Sequence, residues 1–241
     1  MSKKALVLGA SGGIGSAITE RLIKEGWSVY AHYNKNKESI FSLKEKLGEE
    51  FSSDIIPIYA DLHSQESTDS LINAIEEVNA IVHAGGATYE GLLEETPDDV
   101  MNELWSSHVF QPARIIRSFL PSMRSVRNGA IVFVSSIWGQ TGASNEVMYS
   151  AVKGAQLSFV KALGKELAPS KIRVNAVAPG SVETSMTHHY DDIDRNAIVD
   201  NIPAGRMGNP EEIAGAVLFL LGEDSSYITS QVLSINGGWY A

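Results

Sequence analysis

The sequence contains no cysteine, which excludes disulfides and thiolate metal sites and suits a reducing compartment. It also has no run of about 18 apolar residues, so no membrane-spanning helix is expected. Met1-Ser2-Lys3-Lys4 followed by Ala5-Leu6-Val7-Leu8 resembles a signal peptide at first sight, but the apolar run stops at Gly9, too short for an h-region. It reads better as a first strand. Positive charge is scarce: 19 Lys and Arg stand against 29 Asp and Glu, a net charge of −10, with no basic stripe. Nucleic-acid binding draws its affinity from clustered Lys and Arg, so no nucleic-acid partner is expected. Linkers, repeats and low-complexity tracts are missing as well. With 44% hydrophobic and 20% charged residues, the 241 residues are expected to form one cytoplasmic globular domain, 1–241, around one large core.

What the chain has is alternation. Short apolar runs at Ala5 to Leu8, Trp27 to Tyr33, Ile55 to Ala60, Ala80 to Val82, Ala130 to Val134, Arg173 to Ala178 and Val232 to Ile235 have the character of buried strands. Between them, Ser16 to Glu25, Glu66 to Glu77, Asp98 to Met123, Val147 to Ala168 and Glu211 to Leu221 read as helices. This order predicts a single-domain Rossmann-type α/β fold, a doubly wound parallel sheet with helices on both faces. The stretch from Ser181 to Pro210 is irregular. Long irregular segments in compact domains are often binding loops or lids, so residues 181–210 are the expected substrate loop.

Two local patterns carry chemistry. In the first, Gly9-Ala10-Ser11-Gly12-Gly13-Ile14-Gly15 joins a strand directly to a helix. Backbone N–H groups of Gly9, Ser11, Gly12, Gly13, Ile14 and Gly15, together with the positive end of the helix, suit a pyrophosphate. NAD-binding folds usually end the second strand in an Asp or Glu that holds the ribose 2′-hydroxyl. Here no carboxylate lies between Glu25 and Glu38, and the run is His32-Tyr33-Asn34-Lys35-Asn36-Lys37. Cations without an acid suit a 2′-phosphate, which points to NADP(H) and to Tyr33, Asn34 and Lys35 as its contacts; the alternative is a solvated turn. After the fourth strand, Ala84, Gly85 and Gly86 are small enough to let a cofactor approach. His83 beside them is either a ligand, an acid or simply hydrogen-bonded.

The second pattern is Tyr149 and Lys153, four apart on a helix and therefore on one face. A free phenol, with a pKa of about 10, is a poor acid–base group at neutral pH, and a nearby ammonium lowers that value. Lys153 is the expected ammonium.

Taken together, Gly9-x-x-x-Gly13-x-Gly15, Ser136 and Tyr149-x-x-x-Lys153 resemble the short-chain dehydrogenase/reductase family over essentially the whole chain, with Ser136 thirteen positions before Tyr149. Within that family, Asn201-Ile202-Pro203, Gly205-Arg206-Met207-Gly208, Pro210-Glu211-Glu212-Ile213-Ala214 and Ile235-Asn236-Gly237-Gly238 are similar to the 3-oxoacyl-acyl-carrier-protein reductases. The resemblance implies NADPH-dependent carbonyl reduction, with Tyr149 as proton donor, Ser136 bonded to the carbonyl oxygen and Lys153 on the nicotinamide ribose. It places Asp61 and Leu62 near the adenine, Asn175 in support, and Pro179, Gly180, Val182 and Thr184 near the nicotinamide. It also implies a homotetramer, paired through the helices Asp98 to Met123 and Val147 to Ala168, for which Leu157, Val160 and Leu163 are available. The substrate is a small-molecule or carrier-bound ketone; related reductases act on many ketones, including one borne on a modified lysine of elongation factor P.

Three departures from the family pattern stand out. Leu8 replaces the usual Thr before the first glycine, a structural change. His83-Ala84-Gly85-Gly86 replaces Asn-Asn-Ala-Gly. The helix Asn that completes the family tetrad falls, by ungapped register on Phe110, at Trp105. A rival reading from another class is a non-catalytic NADP-binding sensor or scaffold, supported by Trp105 and His83. His188-His189 with Asp191, Asp192 and Asp194 reads as an acidic exposed loop, and no metal is expected, since no ligand pair shares i, i+4 spacing with a third partner.

Overall fold

A computed structural model describes residues 3–187 and 190–241. Seven strands, β1 (Lys4–Leu8), β2 (Ser28–Tyr33), β3 (Ile55–Tyr59), β4 (Ala80–His83), β5 (Gly129–Val134), β6 (Ile172–Pro179) and β7 (Val232–Ile235), form one parallel sheet. Their order is β3-β2-β1-β4-β5-β6-β7. Strand order therefore reverses between β1 and β4, which opens a crevice at the carboxyl ends of those two strands.

The helices are α1 (Gly13–Lys24), α2 (Lys37–Leu47), α3 (Glu49–Ser52), α4 (Gln65–Ala74), α5 (Asp98–Trp105), α6 (Gln111–Val126), α7 (Trp138–Thr141), α8 (Val147–Leu167), α9 (Asp192–Asp200) and α10 (Pro210–Leu221). They cover both faces. Alternate residues of β1 show how: Ala5 and Val7 pack with Ile18 and Leu22 of α1, Ile40 of α2 and Val217 of α10, while Leu6 and Leu8 pack with Leu71 of α4, Ile115 of α6 and Val160 of α8. Leu8 is fully buried in the second of these layers, so an apolar side chain at that position has a packing reason.

Four helices, α2, α3, α7 and α9, lie where none was expected, and one expected helix is interrupted. α2 is a helix capped by Asn36, whose side chain accepts from Ser39 N at 3.1 Å, in a stretch with no assigned element. α9 lies inside the irregular stretch 181–210; its first-turn N–H groups, of Ile193 and Asp194, both donate to Asp191 at 2.9 Å. Asp191 thus has a capping role, while His188 and His189 lie outside the described residues. Finally, the long helix expected from Asp98 to Met123 is broken by a π-helical turn, Ser106–Phe110. Pro112 has no N–H to give to the carbonyl of His108, four residues back, and Gln156 Nε2 of α8 donates to that carbonyl instead at 2.9 Å. Among the described residues, no helix is long and apolar enough to cross a membrane.

Candidate active site

Two adjoining hollows lie along the carboxyl edge of the sheet. One, of 400 Å³, is a groove lined by Gly9, Ser11, Gly12, Gly13, Ile14, Asn34, Lys35, Leu62, Ala84, Gly85, Gly86 and Thr184, all of them expected at the cofactor. Gly9 makes the groove possible: its φ is +84°, and a Cβ there would lie 2.4 Å from the Cα of Gly85. The β1 and β4 ends approach this closely because Gly9 lacks a side chain; a Cβ on Gly85 would lie 3.3 Å from the Cα of Gly9, a tight contact. His32 fixes the turn from behind. Its Nδ1 accepts from Gly9 N at 2.9 Å and its Nε2 donates to Ala60 O at 3.0 Å, so the ring holds one neutral tautomer, with burial lowering its pKa to about 4.

The 2′-phosphate corner differs in detail from expectation. Lys35 and Asn34 line the groove, and His63 joins them. Tyr33 does not line it: its ring turns toward Tyr59, centroids 5.9 Å apart. Asp61 does not line it either; its Oδ1 accepts from Asn34 Nδ2 at 3.3 Å and from His63 N at 3.0 Å, so it orients two residues that do. Gly15 lies in the first turn of α1, where a Cβ would meet Gly9 O at 2.1 Å, a packing requirement. Asn175 is buried and ties β6 to the chain before β7, donating to Ile228 O at 2.9 Å and accepting from Gln231 N at 3.0 Å.

The second hollow, of 590 Å³, is a cleft that contains Ser136, Tyr149, Pro179, Gly180 and Val182, and shares Ile14 and Thr184 with the groove. Ser136 follows β5, its Oγ accepting from Trp138 N at 3.1 Å, and its hydroxyl is hydrogen-bonded to Tyr149. Lys153 is buried one turn behind Tyr149. Its Nζ donates to Val134 O at 3.0 Å and lies 5.4 Å from the Tyr149 ring centroid.

The electrostatics run opposite to the expectation that Lys153 lowers the Tyr149 pKa. Desolvation by the surrounding protein raises it, the Glu146 carboxylate raises it further, and only the Ser136 hydrogen bond opposes them. Lys153 stands beside the ring face and is itself weakened as a charge: burial lowers its pKa to about 7. Tyr149 is thus a protonated phenol at neutral pH, the form a proton donor needs.

Trp105 does not occupy the position assigned by ungapped register. It is 49% exposed, and the π turn brings His108 inward instead, its ring 5.7 Å from that of Tyr149. His108 is anchored by Nε2 on Ala87 O at 2.8 Å and stands 6.3 Å from the buried ring of His83. The sequence signal for this was Pro112, which cannot sit within an uninterrupted hydrogen-bond ladder. Leu157 and Val160, expected to pair with another copy, are buried in the chain's own core, and Leu163 packs against it.

Residues missed from the sequence also line the cleft. Trp138 and Trp239 form an aromatic wall with rings 5.2 Å apart. Glu146 accepts from Thr88 Oγ1 at 3.0 Å and from the Trp138 side chain, yet burial raises its pKa overall. Glu90 and Asp194 complete a ring of three carboxylates, and none of the described lining residues is Lys or Arg.

Comparison with known proteins gives a consistent neighbourhood. The family model described as Enoyl-(Acyl carrier protein) reductase matches residues 9–240. The uncharacterized oxidoreductase YmfI of Bacillus subtilis is 48% identical across all of both chains. The 3-oxoacyl-[acyl-carrier-protein] reductase FabG of Vibrio harveyi is 36% identical over 99% of this chain and 97% of its own. Among solved structures, a variant of the actinorhodin polyketide ketoreductase with NADPH is 31% identical, with a TM-score of 0.91 over 99% of this chain and 97% of that one. YwfH, an NADPH-dependent reductase of bacilysin biosynthesis, has a TM-score of 0.92 over 100% of this chain and 99% of that one; at 24% identity it shares the fold.

Proposed function

This chain belongs to the short-chain dehydrogenase/reductase family, and on that premise we propose that it is an NADPH-dependent carbonyl reductase in which Tyr149, Ser136 and Lys153 act on a ketone. The observation that carries the reading is Tyr149: a phenol kept protonated and hydrogen-bonded to Ser136, in the cleft that adjoins the glycine-lined groove. Glycine backbones, the α1 N-terminus and Lys35 fit a dinucleotide with a 2′-phosphate. NADPH held there supplies the hydride. Ser136 orients the carbonyl oxygen, Tyr149 transfers its proton to that oxygen, the Ser136 hydrogen bond favours the phenolate that remains, and Lys153 would hold the nicotinamide ribose. Oxidation of NADPH with a panel of ketones tests this; a protein that binds NADPH tightly and turns over no ketone is a sensor or scaffold.

A 3-oxoacyl thioester on an acyl carrier is one substrate the relatives' names suggest. The cleft favours a second: a ketone whose carrying group is cationic, such as one on a modified lysine side chain of elongation factor P. Glu90, Glu146 and Asp194 surround the approach with no compensating Lys or Arg among the described lining residues. That field attracts an ammonium and repels both the phosphate of a pantetheine arm and an acidic carrier. The wall of Trp138 and Trp239 adds ring faces suited to a cation. An aminoketone should be turned over with a lower KM than a neutral ketone of equal length, and Glu146→Gln should raise the first KM alone. Equal KM values for both, or preference for acetoacetyl-carrier protein, would favour the carrier-bound substrate.

The cytoplasm and a homotetramer complete the reading, the first on the strength of a cysteine-free chain and the second on family resemblance and exposed Trp105 and Phe110.

A further inference from the structure

The turn Asn236-Gly237-Gly238, which follows β7, holds one side chain against the substrate cleft. Gly237 and Gly238 have φ of +62° and +86°, two left-handed values in succession that reverse the chain. The side chain of Asn236 then bonds on both sides of residue 239: its Oδ1 accepts from Gly238 N at 3.0 Å and its Nδ2 donates to Tyr240 O at 2.7 Å. Trp239 N donates to Asn236 O at 3.1 Å, so the backbone of Trp239 is tied as well. The turn is anchored to two neighbouring loops, Gly237 O accepting from Ala204 N and Ile235 O from Gly180 N, both at 3.0 Å.

Two residues decide where the Trp239 indole lies. At Gly180 a Cβ would fall 3.4 Å from Cε3 of Trp239 and 3.1 Å from the Cα and Cβ of Asn236, so the six-membered edge of the indole rests against bare backbone. Trp138 meets it as well, with ring centroids 5.2 Å apart and planes at 71°, an edge-to-face contact. Trp138 is itself fixed, because its side chain, whose one donor is the indole N–H, bonds to Glu146. Trp239, Trp138 and Gly180 all line the 590 Å³ cleft that contains Tyr149 and Ser136. A ketone whose oxygen meets Tyr149 and Ser136 therefore has its substituents in a cleft with a fixed indole wall.

We propose that Trp239 is the specificity-determining residue of the cleft: held by Asn236 and backed by Gly180 and Trp138, its indole admits ketones on slender, unbranched chains and excludes branched or aryl ones. The inference rests on the carbonyl-reductase reading and adds a limit of shape to it. A flexible Leu or Met in this place could swing aside for a bulky substituent. An indole whose backbone is tied on both sides and whose ring packs on two surfaces can change rotamer only by giving up those contacts. Discrimination by a close-fitting apolar wall is steep, since one methylene changes kcat/KM by roughly 10–200-fold. The selection acts on the ketone and not on the cofactor, because Trp239 lines the cleft and is absent from the groove. An unbranched chain bearing an ammonium satisfies both this limit and the carboxylates of the cleft.

The test compares two methyl ketones, one with a short unbranched chain and one with a terminal phenyl ring on the same chain. The wild type should prefer the first. Trp239→Ala should raise kcat/KM for the phenyl ketone relative to the first by about tenfold or more, with the Kd for NADPH unchanged. A ratio that stays at the wild-type value, a loss shared equally by both ketones, or a weakened NADPH affinity that accounts for the change would overturn the proposal, since each is what a purely structural indole would give. Should Trp239→Ala fail to fold, Trp239→Leu should shift the ratio in the same direction by a smaller factor and is read in the same way. Asn236→Ala keeps the indole and releases its clamp, so it too should favour the phenyl ketone; an unchanged ratio there would overturn the role of the turn. If the wild-type protein reduces no ketone, the carbonyl-reductase reading fails by itself, and calorimetry of the phenyl ketone with the NADP-bound proteins still decides the wall. Tighter binding to Trp239→Ala than to the wild type supports it, and equal binding, or none to either, refutes it.

Discussion

The ring of His108 meets the ring of Tyr149 edge to face, 5.7 Å between centroids and 86° between planes. The contact exists because the π turn Ser106–Phe110 inserts itself into what would otherwise be one helix, rotating His108 inward and leaving Trp105 half exposed. Trp105→Asn should therefore leave kcat within about twofold, despite the register that aligns it with a family tetrad residue. A hundredfold increase, about 2.7 kcal/mol off the barrier, would show that Trp105 obstructs the site.

Tyr149→Phe removes one hydroxyl and almost no volume. Ketone reduction should fall by about 10²–10⁴-fold, the usual range for a positioned acid, while NADPH binding followed by fluorescence stays the same. Activity retained within about tenfold would assign the proton donor elsewhere.

Lys153 is destabilising in the folded state, because burial lowers its pKa from 10.5 to about 7. The unfolded chain binds this proton more tightly, so the penalty is complete below pH 7 and fades as pH rises toward 10.5. Lys153→Met should raise the melting temperature while abolishing reduction, with the largest gain below pH 7 and the smallest near pH 10. A gain that grows with pH has the wrong sign for this account. Calorimetry across that range decides it.

Lys35 is exposed at the end of β2 and lines the groove. Lys35→Glu should erode the preference for NADPH over NADH by repelling the 2′-phosphate, and raised salt should weaken NADPH binding in the wild type. Equal kcat/KM with both cofactors in the unmodified protein would count against the assignment.

A homotetramer is the expected assembly, with Trp105 and Phe110, each 49% exposed, as apolar contacts in place of Leu157 and Val160. Light scattering at micromolar concentration should give the mass of four chains, and Phe110→Glu should give a smaller species with its fold intact by circular dichroism. A wild-type monomer would sink the idea.

The sequence determined the periodic parts of this protein. Strands such as Ala80 to Val82 must be apolar on both faces to be sandwiched between helix layers, and the turn at Gly9 needs glycine where two strand ends meet, so both can be read without coordinates. Tyr149 and Lys153 share a helix face for the same local reason, since i and i+4 are neighbours on any helix. Tertiary structure decided what depended on environment. It left Tyr149 a weaker acid than a free phenol, because Glu146 and desolvation outweigh Ser136, and neither effect has a sequence spacing. It turned Tyr33 toward Tyr59 and Leu157 into the core, because which face of an element is covered depends on what packs there. The cluster of His83, His108 and Gln156 required both. Pro112 denied the His108 carbonyl its helical donor, but only the packing of α8 against the π turn put Gln156 where it could supply another, with the two imidazoles enclosed beside Lys153.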